Sequence, residues 1–152
     1  MNSSKARKEE SLRIANSTRL AAQRLKASTD EYLTTFDAAK QFSFSDAKNN
    51  KEKYEYNYYS YASSIIEVIT ELSALNAELS SLLILADQKM DIELIPILQK
   101  RFDIFLLFEK SLYHYTSTVE KAFDEGAPTI TFLINAANKF KLSIENLITE
   151  NT

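Results

Sequence analysis

The scarcity of turn-forming residues constrains this chain more than any other feature. Its 152 residues include one Gly and two Pro, where average usage would give about 10 and about 7. Sheets and mixed folds need many turns, and turns depend on these residues. The chain is therefore expected to have few, long elements, and the sequence predicts an all-α protein.

Four helical segments follow from the spacing of apolar residues, at about 3–41, 46–88, 91–125 and from 129 onwards. Because the connections between them are short, neighbouring helices should be antiparallel. The predicted fold is an up-down-up-down four-helix bundle with long first and second helices and a shorter fourth helix. We expect a single domain over residues 1–152, in which residues 1–11 fray or project because they hold no large apolar side chain beyond Met1.

The predicted core positions recur at steps of three and four residues, with some wider gaps. Helix by helix they are Ile14, Ala21, Leu25, Tyr32, Phe36 and Ala39; Tyr54, Tyr58, Tyr61, Ile65, Val68, Leu72, Leu75, Leu79, Leu82 and Ala86; Leu98, Phe102, Phe105, Leu112, Val119 and Phe123; and Ile130, Leu133, Ala137, Phe140, Ile144 and Leu147. Asp91 is predicted to cap the third helix, and Gly126 is predicted to end it in the left-handed conformation.

The residue inventory argues against most chemistry. There is no cysteine for disulfides or thiolate metal sites, and the single histidine, His114, is too few for a di-iron bundle and is expected to face outward. One glycine excludes phosphate-binding loops, and no serine lies in a nucleophile elbow. We therefore predict no catalytic residue, no cofactor and no metal, and a protein that is not an enzyme.

Glu109 is the one acidic residue that the spacing places among core positions, between Phe105 and Leu112. It is expected either to be a buried acid lining a small pocket, with a raised pKa, or to be a flanking residue that pairs with a basic side chain.

Membrane insertion and secretion are not expected. No uninterrupted apolar run is longer than the five residues of 82–86, which is far below the roughly 18 residues that a membrane span needs. The N-terminus has no apolar stretch behind its charges and does not resemble a signal peptide. A cytoplasmic protein without a membrane span is predicted.

The second predicted helix is unusual because both of its faces lack charge. Residues 56–86 hold only three charged side chains, Glu67, Glu71 and Glu78, although a helix with one core face normally carries charge opposite it. We call this opposite side the outer face; it consists of Tyr56, Tyr59, Ser63, Ile66, Thr70, Ser73, Ala77, Ser80 and Ile84.

Three interpretations of the outer face remain open from the sequence. It is a homodimer or partner interface, or the first or fourth helix of the same chain covers it, or it is a set of exposed serines. The pattern is roughly symmetric about Thr70, which suits a two-fold antiparallel pairing of two copies. Next to it, the corner at 82–98 is rich in apolar residues, and Leu85 points away from the core there, so this corner is a second candidate contact surface.

Charge is also uneven along the chain. Residues 1–26 carry a net charge of +5 from seven basic and two acidic residues, which leaves −8 for the rest of a chain with net charge −3. We call the seven residues the basic arm; they are Lys5, Arg7, Lys8, Arg13, Arg19, Arg24 and Lys26. The arm either complements the acidic body or binds an anionic polymer.

Two functions follow from these features. The first is a non-enzymatic helical interaction or adaptor protein that self-associates, or binds a protein partner, through the outer face and the 82–98 corner. The alternative is a nucleic-acid-binding regulatory protein that uses the basic arm, with Tyr56 and Tyr59 available to stack on bases.

Overall fold

The computed structural model describes residues 3–37 and 50–152, and these residues form four helices. They are α1 (Ser4–Thr34), α2 (Lys51–Gln88), α3 (Ile95–Glu125) and α4 (Ile130–Glu150). Each helix packs against the next along the chain, and α4 packs against α1 to close the bundle. The predicted all-α, up-down-up-down four-helix bundle is confirmed.

Helix lengths agree with the sequence in part. α2 has 38 residues and α4 has 21, which correspond to about 57 Å and about 32 Å. α1 ends at Thr34 rather than near residue 41. The Thr34 and Thr35 hydroxyls bond to main-chain carbonyls three residues back, and such bonds compete with continued helix. The expected start of the second helix at 46, and the core position Ala39, lie outside the described residues.

The structure differs from the predicted fraying or projection of residues 1–11 over residues 3–11, the part of that segment that it describes. α1 begins at Ser4, and the Ser3 hydroxyl accepts a hydrogen bond from the Ala6 amide at 3.0 Å. Arg7 and Ser11 are buried. Polar contacts replace the missing apolar side chains here, because Arg7 pairs with Asp91 and the Ser11 hydroxyl accepts a hydrogen bond from Arg101.

The core follows the predicted spacing closely in α1, α2 and α4. Every predicted position described in those helices is buried except Val68, which is half-buried. In α3, Phe102 and Leu112 are only half-buried, whereas Phe108 and Tyr115 are buried instead. Leu112 lines an open groove between α2 and α3, which explains its partial exposure.

The bundle has a four-helix body and a three-helix end. All four helices contribute to the main core, but a second cluster draws only on α1, α2 and the start of α3; it contains Ile14, Leu79, Leu82, Ala86, Leu94 and Leu98. This end contains the 82–98 corner, and the first turns of α1 take the place of the shorter α4.

Two predicted helix ends need correction. Gly126 follows the last residue of α3 with φ 164 and ψ −141, which is extended backbone and not the left-handed region. Asp91 does not cap α3 with its side chain, since the helix begins only at Ile95 and the Asp91 carboxylate is turned toward Arg7. The start of α4 agrees, because the Thr129 hydroxyl accepts a hydrogen bond from the Phe132 amide at 3.1 Å.

Candidate functional site

The outer face of α2 lies at the surface. Tyr56 is 73% exposed, Ile66 is 62% exposed and Ile84 is 58% exposed, and apart from half-buried Ser80 the other members of the face are exposed as well. Neither α1 nor α4 covers this side of α2. The interpretation that the same chain buries the outer face therefore does not describe the bundle.

The three charged residues of this stretch lie beside the outer face rather than on it. Glu71 pairs with Arg24 of α1, and Glu78 pairs with Arg13 of α1. These two carboxylates are directed toward α1, and only Glu67 remains to charge the solvent side of the stretch. The flank of α2 that turns toward α3 carries no charge between residues 56 and 84.

A groove of about 540 Å³ between α2 and α3 continues the outer face. Four outer-face residues, Tyr59, Ser63, Ile66 and Ser73, form part of one wall. The α3 wall includes Tyr113, which is 75% exposed. The exposed surface is therefore wider than one helix and is mainly apolar.

Carboxylates mark the α3 side of this groove. Glu109 lines it and is exposed, so the alternative of a buried acid is wrong and the alternative of a residue flanking the core is confirmed. The reason is that the buried stripe of α3 passes through Phe108 instead. Glu120 also lines the groove. The pKa of Tyr59 is raised, first by partial burial and then by the nearby negative charge of Glu120, Asp124 and Glu55.

The tyrosines at 53–61 divide between core and surface. Tyr54, Tyr58 and Tyr61 are buried, while Tyr56 and Tyr59 point outward. The buried rings belong to an aromatic cluster that includes a Tyr32–Tyr61 stack, with ring centroids 4.5 Å apart. The cluster is therefore part of the fold, and the two outward rings are the ones available to a partner.

The hydroxyl groups of the buried tyrosines lie in an unusually apolar setting. The Tyr61 hydroxyl bonds to Thr29 Oγ1 at 2.7 Å. Those of Tyr32, Tyr58 and Tyr115 have no hydrogen-bond partner within residues 3–37 and 50–152, and the Tyr32 and Tyr115 hydroxyls are near enough to affect each other's pKa. Burial raises the pKa of all four phenols.

The 82–98 corner is partly covered. Met90 and Ile92 are each 78% exposed, whereas Leu85 is half-buried. Below them, the Arg7 Nε–Asp91 Oδ2 pair at 3.1 Å has both side chains only 7% exposed. The N-terminal turns of α1 thus cover the inner side of the corner and leave its tip open.

Most of the basic arm is paired within the chain. The ion pairs are Arg7 with Asp91, Lys8 with Glu93, Arg13 with both Glu10 and Glu78, Arg24 with Glu71, and Lys26 with Glu145. The hydrogen bond from Arg13 lowers the pKa of Glu10. The arm therefore acts mainly as a counterpart to acids of the same chain, on α1, α2, α4 and the α2–α3 connection.

α2 is the one described helix that is long and apolar enough to cross a membrane by length and composition, a test that core helices of soluble proteins also pass. Only 22% of its most apolar stretch is buried.

Within residues 3–37 and 50–152, no cluster of three His, Asp or Glu side chains is placed to hold a metal ion.

Comparison with protein-family models, with curated proteins and with solved structures finds no match to this chain.

Proposed function

We propose that this protein is a non-enzymatic helical interaction protein whose first partner is a second copy of itself, bound through the outer face of α2. One observation carries the proposal. The outer face is uncharged over nine positions from Tyr56 to Ile84, and eight of the nine are exposed, whereas the solvent side of a bundle helix is normally charged.

The order of side chains along the face favours self-association. In an antiparallel pairing centred on Thr70, Tyr56 of one copy meets Ile84 of the other, and Ser63 meets Ala77. A two-fold interface must be self-complementary in this way. Apart from Ile66, the outer-face residues near the centre are small, and small residues let two helices approach to the short end of the usual 8–10 Å interaxial range.

The lack of charge on the outer face favours a second copy of this chain, rather than a charged partner, as what binds there. Two identical acidic chains repel each other unless the contact surface itself is neutral, and the outer face carries no charge. The outer face is about 42 Å long but only one helix wide. Its area is therefore smaller than the roughly 800 Å² per partner of a standard interface. The proposed contact therefore extends onto the α3 wall of the groove at Tyr113, and it has to leave the Glu109 and Glu120 carboxylates of the same wall in solvent.

Cysteine cross-linking tests the arrangement directly, since the chain has no cysteine of its own. A single Thr70→Cys should oxidise to a covalent dimer, because residue 70 lies on the proposed two-fold axis. Asn135→Cys, an exposed position on α4, serves as the matched control and should stay monomeric on a denaturing gel. A mixture of Ser63→Cys and Ala77→Cys chains should form the mixed dimer.

Light scattering after size exclusion measures the association itself. Wild type and Asn135→Glu should show a dimer, and Thr70→Glu should shift toward monomer because it places two like charges at the axis. A wild-type chain that stays monomeric at high micromolar concentration would overturn the proposal. Binding of that monomer to lipid vesicles would assign the outer face to a membrane surface instead.

No specific observation favours nucleic-acid binding, since most of the basic arm is paired with acids of the same chain. A gel shift that weakens with salt would restore that alternative.

A further inference from the structure

A second cleft lies between α3 and α4, with a volume of about 300 Å³. This is the small end of the range for pockets that hold organic ligands. Its lining combines an aromatic floor, two hydroxyls and three nitrogen-bearing side chains; the residues are Lys110, Ser111, His114, Tyr115, Thr118, Ala136, Lys139 and Phe140.

The floor is apolar and held in place. The Tyr115 and Phe140 rings stack with centroids 5.0 Å apart and planes 10° from parallel, and the two residues are 3% and 1% exposed. Tyr115 also packs against Tyr58, and Phe140 against Phe108. Because both residues are almost fully buried, the rings close the base of the cleft and present only a small, preformed apolar surface to it.

The rim carries positive charge that the described chain does not neutralise. Lys110 and Lys139 form no ion pair with residues 3–37 or 50–152, and no acidic residue lines the cleft. Neighbouring lysines differ, because Lys121 pairs with Glu125 and Lys141 pairs with Asp30. The α2–α3 groove has the opposite character, with Glu109 and Glu120 in its lining.

We propose that the α3–α4 cleft binds a small organic carboxylate with an aromatic or short acyl body. The apolar body lies on the Tyr115–Phe140 floor, the carboxylate is held by Lys110 and Lys139, and the Ser111 and Thr118 hydroxyls are available to donate hydrogen bonds. Charge-assisted hydrogen bonds supply orientation, and burial of the body supplies most of the affinity. This site is separate from the outer face of α2 and does not depend on self-association.

Titration of the full chain with 2-naphthoate, followed by amide chemical shifts in NMR, tests the proposal. The largest shifts should fall on residues 111–118 and 136–140. The neutral analogue 2-naphthalenemethanol should bind at least tenfold more weakly, because it keeps the ring and loses the charge. Thr70→Glu should bind naphthoate as wild type does, which separates this test from the dimer proposal.

Two variants and their controls locate the site. Lys110→Gln with Lys139→Gln should weaken naphthoate binding at least tenfold, while Lys53→Gln with Lys89→Gln, which removes two exposed lysines elsewhere, should leave it unchanged. Ala136→Trp should fill the cleft and abolish binding, while Ala27→Trp at an exposed site of α1 should not. Circular dichroism checks that each variant is folded.

Absence of shifts at millimolar naphthoate, equal binding of the neutral analogue, or an equal loss in the Lys53 and Lys89 double variant would each overturn the proposal.

Discussion

α2 carries two uncharged faces with the same three- and four-residue spacing: the core stripe, which contains Tyr58 and Leu72, and the outer face. The core stripe is buried, whereas the outer face is exposed to solvent. Tyr58 and Leu72 on the core stripe have no exposed surface, whereas Tyr56 on the outer face is 73% exposed. The difference lies in side-chain size along the middle of each face. Large residues fill the space between helices, while Ser63, Thr70, Ser73 and Ala77 have too little apolar surface to hold a helix of the same chain in place.

An uncharged helix face is not by itself a core face. A bundle member has only two immediate neighbours, and α2 has them in α1 and α3. A second uncharged face on such a helix has no third neighbour in its own chain among the described helices. It is therefore the surface on which an interaction is most readily built.

The largest expected effect comes from removing one ring on each face. Tyr58→Ala should lower the free energy of unfolding by about 3–5 kcal/mol because it leaves a cavity in the aromatic cluster. Tyr56→Ala should change it by at most about 0.5 kcal/mol, as for most surface positions. Urea denaturation in the Thr70→Glu background measures both without a contribution from association. Equal losses would mean that the two faces are not distinguished by burial.

Charged pairs extend the comparison between buried and exposed positions. Asp91→Ala removes the carboxylate facing Arg7, whose side chain is 7% exposed, and should cost about 3 kcal/mol. Glu93→Ala breaks the exposed Lys8 pair and should cost about 0–1 kcal/mol. Thermal denaturation of both variants checks the ranking, which would be contradicted by a larger loss in the Glu93 variant.

Alkaline pH should act on the buried tyrosines. Their ordinary pKa is 10.0 and the folded values are higher because of burial, so the folded state keeps protons that the unfolded state releases. This contribution to stability is complete below pH 10 and is lost as pH rises above it, by roughly 1.4 kcal/mol per buried phenol at pH 11. Tyr115→Phe should reduce the loss between pH 9 and pH 11 by one such increment. Tyr113→Phe, which removes an exposed phenol, is the control, and denaturant midpoints at both pH values give the measurement.

The smallest expected effect concerns two threonines with the same local hydrogen bond. Thr29 Oγ1 donates to the Leu25 carbonyl at 2.8 Å, and Thr70 Oγ1 donates to the Ile66 carbonyl at 2.9 Å. Only Thr29 is buried and also accepts from Tyr61. Thr29→Val should cost about 1 kcal/mol, because the Tyr61 hydroxyl loses its acceptor, while Thr70→Val should stay within about 0.5 kcal/mol. Indistinguishable unfolding energies would show that the Tyr61 bond contributes nothing.

Much of the fold could be predicted because local rules determine it. The low Gly and Pro content can be read from composition, the three- and four-residue spacing depends on a few adjacent residues, and both indicate helices. The α3 core was predicted less well, since its spacing allowed both Phe102 and Phe108 to face inward. Only the packing against α4, where Phe108 contacts Phe140, selects Phe108 and places Glu109 outside.

The candidate surfaces divide in the same way. The outer face could be listed from the sequence because it lies on one helix with a regular repeat. The α3–α4 cleft could not, because Lys110 and Lys139 are on different helices and nothing local relates them. His114 was correctly expected at the surface, but its place on the rim of a cleft depends on the neighbouring helix.

By itself the sequence determined that the chain is helical, that the helices form an antiparallel bundle and which residues of α2 carry no charge, because these properties follow from composition and from periodicity along one chain segment. The tertiary structure alone decided that the outer face stays open, that most of the basic arm is paired, and that the α2–α3 and α3–α4 openings differ in charge. Each of these depends on which side chains from distant segments come within a few ångströms of one another.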